Sequence, residues 1–227
     1  MVVLSSFERD GFALVPRVLT AVECQAVADH TAPAAGASGG TRTVLSQPWC
    51  ASLANRILWH PELARFLAAD MVAVQCTYFE KSIARNWLVP IHQDLIIPVA
   101  ERVPEATLRA WSEKEGELFV HAPANILEKM VAVRIHLDRC SSKDGPLRVV
   151  PGSHVYGRLD SESTAAASQV GHEVTCTAQR GDALVMRPLI LHASSKSSGT
   201  SGRRVLHFLF GPLVLPHGLR WRHSLAR

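Results

Sequence analysis

An α+β fold, mainly β, is predicted, with helices flanking a jelly-roll core of two facing sheets at its N-terminal side. Two observations carry this. Helical patterns fall in the first 70 residues, and after Asp70 the chain turns to short runs rich in β-branched and aromatic residues. Those runs are separated at short intervals by Gly, Pro, Ser and Asp turn signals. Helices first and many strands afterwards suit a β-sandwich or barrel with helices packed outside it. The 227 residues contain no internal repeat and are expected to form one domain, 1–227.

The elements follow in order. In "TAVECQAVADH" (20–30), Thr20 and Glu23 have capping-box spacing, and Val22, Ala26 and Val27 are expected to face inward. "AGASGG" (35–40) reads as a loop. "LANRILWHPELARFLAAD" (53–70) reads as helical, broken near His60-Pro61, with Leu63, Phe66 and Leu67 on a second helical face. "MVAVQCTYFEK" (71–81) reads as a strand. "NWLVPIHQDLIIPVA" (86–100) carries prolines on both sides of its apolar stretch, which suits an edge or irregular strand. Residues 101–130 form a long connection, helical only near 125–130. Strands follow at 131–138 and 147–154, with the turn cluster "RCSSKDGP" between them. "SESTAAASQVGH" (161–172) reads as a polar loop. Two strands flank the turn at Arg180-Gly181-Asp182, and 203–213 is the last strand, after a loop at 195–202.

The composition is 47% hydrophobic and 19% charged, that of a folded globular chain. A net charge of +4 is spread thinly, and its densest cluster, Arg220, Arg222 and Arg227 in "LRWRHSLAR", reads as a solvated tail, so no nucleic-acid partner is expected. Five cysteines without a C-x-x-C pair predict buried thiols in a reducing compartment. The N-terminus has no basic n-region, and no apolar run approaches ~18 residues. A cytoplasmic protein with no membrane partner is expected, and its oligomeric state is not legible.

The chemistry-bearing residues are histidines and acids. "HQD" puts His92 and Asp94 two apart, so on a strand they share one face. A second pair of the same form is His136 and Asp138. His192, ending "DALVMRPLILH", supplies a distant third ligand. Two imidazoles and one carboxylate on one face of a metal leave open positions, the arrangement of non-haem Fe(II) oxygenases. Arg203 follows eleven residues after His192, and Ser194 two after it. Guanidinium, hydroxyl and metal together suit a dicarboxylate such as 2-oxoglutarate. Strand alternation sends Arg203, Val205, His207 and Leu209 to one face and Arg204 to the other. "PGSH" (151–154) lacks the context of a nucleophile elbow and reads as a turn.

"FERDGFALVPRVLT", "VPIHQD", "HLDRCSSKDGPLRVVPGSHVYGRL" and "GDALVMRPLILHASS", followed by Arg203, resemble in that order the phytanoyl-CoA dioxygenase family of Fe(II)/2-oxoglutarate oxygenases. The resemblance runs from about residue 7 to residue 213. It implies a double-stranded β-helix, or cupin-like, core. It also implies that His92, Asp94 and His192 bind Fe(II), that Arg203 and Ser194 bind the far carboxylate of 2-oxoglutarate, and that O2 is consumed with release of succinate and CO2. On the same basis Asp138 caps the following turn and His136 packs inside the barrel, while Arg134 and Gln75 line the co-substrate pocket. Asp94 implies hydroxylation or desaturation in place of halogenation. Lys81, Asn86 and Trp87, ahead of the metal pair, and Trp111 and His121 in the long connection, are candidates for the substrate mouth or its covering. The substrate implied is a small metabolite. A non-catalytic cupin-like binding protein and a Zn(II) hydrolase are the competing readings.

Overall fold

A computed structural model describes residues 6–31, 40–199 and 202–226. The loop expected at 35–40 lies outside these residues except for Gly40, as do part of 195–202 and Arg227. The N-terminal part consists of α1 (Ser6–Asp10), β1 (Phe12–Val15), α2 (Ala21–Thr31), β2 (Gly40–Thr41), α3 (Pro48–Trp59) and α4 (Pro61–Ala64). The strands β3 (Met71–Lys81), β4 (Val89–His92), β5 (Ile96–Val99), β6 (Ser112–Lys114) and β7 (Glu117–His121) follow, then α5 (Ala124–Leu127), β8 (Val131–His136) and β9 (Leu147–Val149). The chain continues through α6 (Ser161–Val170), β10 (Val174–Cys176), β11 (Ala183–Met186), β12 (His192–Ser194) and β13 (Arg203–Pro212).

Two antiparallel sheets make the jelly roll. The larger has the order β1-β11-β8-β13-β3-β2, and the smaller β10-β9-β12-β4. A third sheet, β5-β7-β6, stands beside them. Strand alternation divides the larger sheet into two faces. Cys76 and Tyr78 of β3, Val133 and Ile135 of β8, and Leu206, Phe208 and Phe210 of β13 join Leu53, Ile57 and Leu58 of α3 in one buried cluster. Burial of each such large side chain contributes about 1.5–3 kcal/mol. Residues of the opposite parity, Gln75, Thr77, Phe79 and Lys81 of β3, Arg134 of β8, and Arg203, His207 and Leu209 of β13, face the cavity between the sheets. The sheet is therefore greasy outside and polar inside, and its helices seal the greasy face.

Several expectations stand. The capping box is formed, with Thr20 N and Oγ1 donating to Glu23 Oε2 (2.8 and 2.9 Å) and Glu23 N to Thr20 Oγ1 (3.2 Å). β3 has the predicted bounds, and proline-bearing β4 and β5 are edge strands. All five cysteines are free and buried. Among the described residues no helix is long and apolar enough to cross a membrane.

Others are corrected. Of the expected inward residues of α2, Val27 packs against the core, but Ala26 and Val22 are exposed, Val22 at 80%, and the buried positions are Cys24, Ala28 and Thr31. Cys24 and Thr31 are the buried positions at helical spacing, and a scale that rewards only aliphatic residues overlooks them. Residues 161–170 are helical, capped by Asp160 accepting from Ser163 N (2.8 Å). α6 buries no residue, so it lacks the apolar stripe that marks a helix in sequence. The long connection contains the β6–β7 hairpin and its pairing with β5. Asp144 caps the "SSKDGP" turn by accepting from Ser141 N (2.7 Å); Asp138 instead holds Arg204 Nε and Nη2, both at 2.8 Å.

Candidate metal centre and its cavity

His92 ends β4 and His192 opens β12, and the two are directly opposed in the smaller sheet. Asp94 lies two residues past the strand, where its N–H donates to Pro188 O (2.9 Å). One ligand atom from each of the three lies within 4.8 Å of the others. His92 Nε2 is 3.7 Å from Asp94 Oδ1, and His192 Nε2 is 3.7 Å from Asp94 Oδ2.

Each ring is set for ligation by its own backbone. His92 Nδ1 is 2.8 Å from Pro90 O, and His192 Nδ1 is 2.9 Å from Ile190 O. A carbonyl only accepts, so the proton sits on Nδ1 and each Nε2 turns a lone pair to the shared space. Burial pushes His192 towards its neutral, ligating form. Burial also works to raise the Asp94 pKa, but His192, His207, His92 and Arg134 outweigh it and keep the carboxyl ionised. Two imidazoles and one carboxylate gathered on one side of a shared space fit an Fe(II) ion.

Gln93 holds this corner from behind. Its Nε2 donates to Gly157 O (2.8 Å) and Leu189 O (2.7 Å), and its Oε1 accepts from Leu159 N (2.8 Å). Both neighbours of Gln93 in the chain are candidate ligands, so its amide sets their aim. Gln93→Met keeps the bulk and removes three hydrogen bonds. It is expected to weaken metal binding about 10- to 100-fold, the usual effect of losing an outer partner of a ligand. A metal titration followed by calorimetry checks this.

The cavity, about 310 Å³, runs between the sheets, and strand register orders its inner wall. At one end Arg203 is paired with Lys81, next come Val205 and Phe79, then His207 with Thr77 and Arg134, and last Leu209 with Gln75. The first end is cationic. Lys81 Nζ donates to Ser194 Oγ and to Ser195 O (2.6 Å) and lies 5.3 Å from the Trp87 ring centre. Burial, then Arg203 and Arg134, push Lys81 down to about 8. Arg203 Nη1 donates to Gly145 O (2.8 Å). Gly145 has φ +62°, and a Cβ there would meet Ser195 O at 2.5 Å, so only glycine presents that carbonyl without strain. Arg134 is 6% exposed with its guanidinium 5.2 Å over Phe79, and among the described residues it has no protein hydrogen-bond acceptor. Burial and then Arg203 push it down to about 9, so it remains a cation at neutral pH.

The structure thus gathers His92, Asp94, His192, Arg203, Ser194, Arg134, Gln75, Lys81 and Trp87 around one cavity. Lys81, a candidate for the substrate mouth in the sequence, touches Ser194 at the cationic end, and Gln75 sits at the opposite end. His121 is not in the wall; it stands opposite Ile96 on β7, its Nδ1 3.1 Å from Arg158 Nη2. His136 and Asp138 do not form a second centre: His136 is buried with neither nitrogen bonded, and Asp138 is taken by Arg204. His207, which the sequence placed on the face of Arg203 without a role, joins the site. Its Nε2 is 3.7 Å from Asp94 Oδ2, and burial pushes it down to about 4. Its position four residues after Arg203 on the same face was the available signal.

The model of the family described as Phytanoyl-CoA dioxygenase (PhyH) matches residues 7–205, and the chain belongs to that family. Its fold is shared with several solved structures. The α-ketoglutarate-dependent carbocyclase SnoK from nogalamycin biosynthesis superposes with a TM-score of 0.67 at 17% identity, over 91% of this chain and 81% of that one. EctD from S. alaskensis superposes with a TM-score of 0.68 at 18% identity, over 98% and 79%. HygX from Streptomyces hygroscopicus, with nickel and 2-oxoglutarate bound, gives 0.62 at 17% identity, over 91% and 84%. No curated protein matches the sequence.

Proposed function

We propose that this chain is an Fe(II)/2-oxoglutarate-dependent dioxygenase that hydroxylates a small-molecule metabolite with release of succinate and CO2. The observation that carries the reading is the pairing, in one cavity, of an open 2-His-1-carboxylate set with a cationic end built from Arg203, Lys81 and Ser194. His92, Asp94 and His192 would hold the iron, which supplies O2 activation when bound. Arg203 and Lys81, with the Ser194 hydroxyl, receive the far carboxylate of 2-oxoglutarate. Both cations already donate to neutral oxygens, so the carboxylate enters a site whose hydrogen-bond geometry is preset. The apolar walls at Phe79, Trp87 and Ile96 limit water around the reacting groups.

The test is anaerobic absorbance of purified protein on adding Fe(II) and then 2-oxoglutarate, followed by a succinate assay in air. A visible metal-to-ligand band that needs both components, and succinate formation that depends on iron, are expected. Metal binding without any such band would favour a cupin-like binding protein.

A further inference from the structure

The cavity is electrically divided. Lys81 is paired with Arg203 at one end, and Arg134, opposite His207 in register, leans its guanidinium over Phe79 towards that end. Past the metal ligands, the wall is Gln75, Thr77, His207, Leu209 and Ile96. Gln75, Thr77, Leu209 and Ile96 have no ionisable side chain. The charges that border this half are accounted for: Asp94 is a candidate ligand, and Arg42 at the rim is tied to Glu115 at 3.1 Å.

We propose that this uncharged half is the substrate subsite and takes a neutral hydroxyl- or amide-bearing group in place of a carboxylate or phosphate. The proposal rests on the dioxygenase reading above, which gives the cationic half to the co-substrate. Gln75 Nε2 donates to Thr77 Oγ1 at 3.0 Å, and both residues are buried. That bond leaves a second amide N–H and Oε1 on Gln75, and the hydroxyl proton of Thr77, for a ligand. A hydroxyl or primary amide both donates and accepts, so it satisfies this mixed set. An anion finds no counter-charge there and leaves water at a cost that neutral hydrogen bonds do not return. Leu209 and Ile96 supply apolar contact for the carbon frame.

The experiment uses the holoenzyme loaded anaerobically with Fe(II) and 2-oxoglutarate. Propanamide and propane-1,2-diol are titrated against propanoate, which is nearly isosteric with the amide, and against inorganic phosphate. The readout is the shift of the visible band as a probe settles beside the metal. The neutral probes are expected to shift it at concentrations at least about tenfold below propanoate and phosphate, equivalent to one lost charge–solvent balance of modest size. Gln75→Leu and Thr77→Val are expected to remove the shift and leave the 2-oxoglutarate Kd within about twofold, because they touch only the uncharged half. Thr77→Ser restores the hydroxyl and is expected to restore the shift. Equal or tighter binding of propanoate or phosphate overturns the proposal, as does a band that no neutral probe moves. A large loss of 2-oxoglutarate affinity in Gln75→Leu also overturns it, by placing Gln75 in the co-substrate cradle. Absence of any band in the wild-type protein overturns the dioxygenase reading itself, and the subsite assignment with it.

Discussion

Asp94→Ala protein is expected to lose at least about 100-fold in Fe(II) affinity and to form no measurable succinate, while its thermal midpoint stays near that of the wild type. Losing an outer partner of a metal ligand costs about 10- to 100-fold, and losing the single anionic ligand costs more. Burial pushes His192 and His207 towards their neutral forms, and a neutral imidazole does not replace the charge of Asp94. The fold does not depend on this carboxylate. Asp94 is about one-third exposed, its nearest nitrogens are 3.7 Å away, and its backbone bond to Pro188 O survives the substitution. Asp138→Ala is the matched control. It breaks the Arg204 pair at 2.8 Å on the other face of the sheet, and iron affinity is expected to be unchanged. Loss of iron in Asp138→Ala with iron kept in Asp94→Ala would mean that the "HLD" pair, and not "HQD", is the centre.

Much of this site was legible because its parts follow strand parity. A period of two separates Arg203 from Arg204, as the structure does; His92 and Asp94 also meet, although Asp94 lies past the end of β4. The long strand that walls the cavity announces itself by a β-branched and aromatic run, "MVAVQCTYFEK". What the sequence hides is long-range register. Nothing local to "TYFEK" says that Lys81 will meet Ser194, since their contact depends on β3 and β12 approaching from different sheets. Gln75 and Lys81 share one face of β3, so parity alone groups them. Their separation along the strand then puts them at opposite ends of the cavity. Gln93 shows the same limit: flanked by two ligands, it reads as a spacer until the carbonyls of Gly157 and Leu189 are seen around its amide. α6 was hidden for another reason, since an exposed helix with no buried face leaves only its cap as a signal.

Arg134→Met is expected to move stability and co-substrate affinity in opposite directions. Arg134 is a buried cation with no acceptor among the described residues, next to two others, Arg203 and Lys81. Removing a charge from that setting relieves a desolvation penalty of several kcal/mol per ion and the repulsion from its neighbours. Methionine fills similar length and keeps contact with Phe79, at the loss of a cation–π contact worth about 0.5–2 kcal/mol. The thermal midpoint of the metal-free, ligand-free variant should therefore rise. The same substitution withdraws positive charge from the space that a dianion must enter, and truncating one partner of a buried charge pair costs about 2–5 kcal/mol, or roughly 30-fold to over 1,000-fold in affinity. Arg203→Met is expected to lose affinity over the same range without the stability gain, because its Gly145 O bond is broken and that buried carbonyl is left unpaired. Thermal melts of both variants with and without 2-oxoglutarate, beside anaerobic titrations, separate the cases. A lower midpoint for Arg134→Met with unchanged 2-oxoglutarate affinity would make Arg134 a structural cation. A higher midpoint with weakened binding would mean that the unfilled cavity carries a destabilising charge whose partner is the co-substrate.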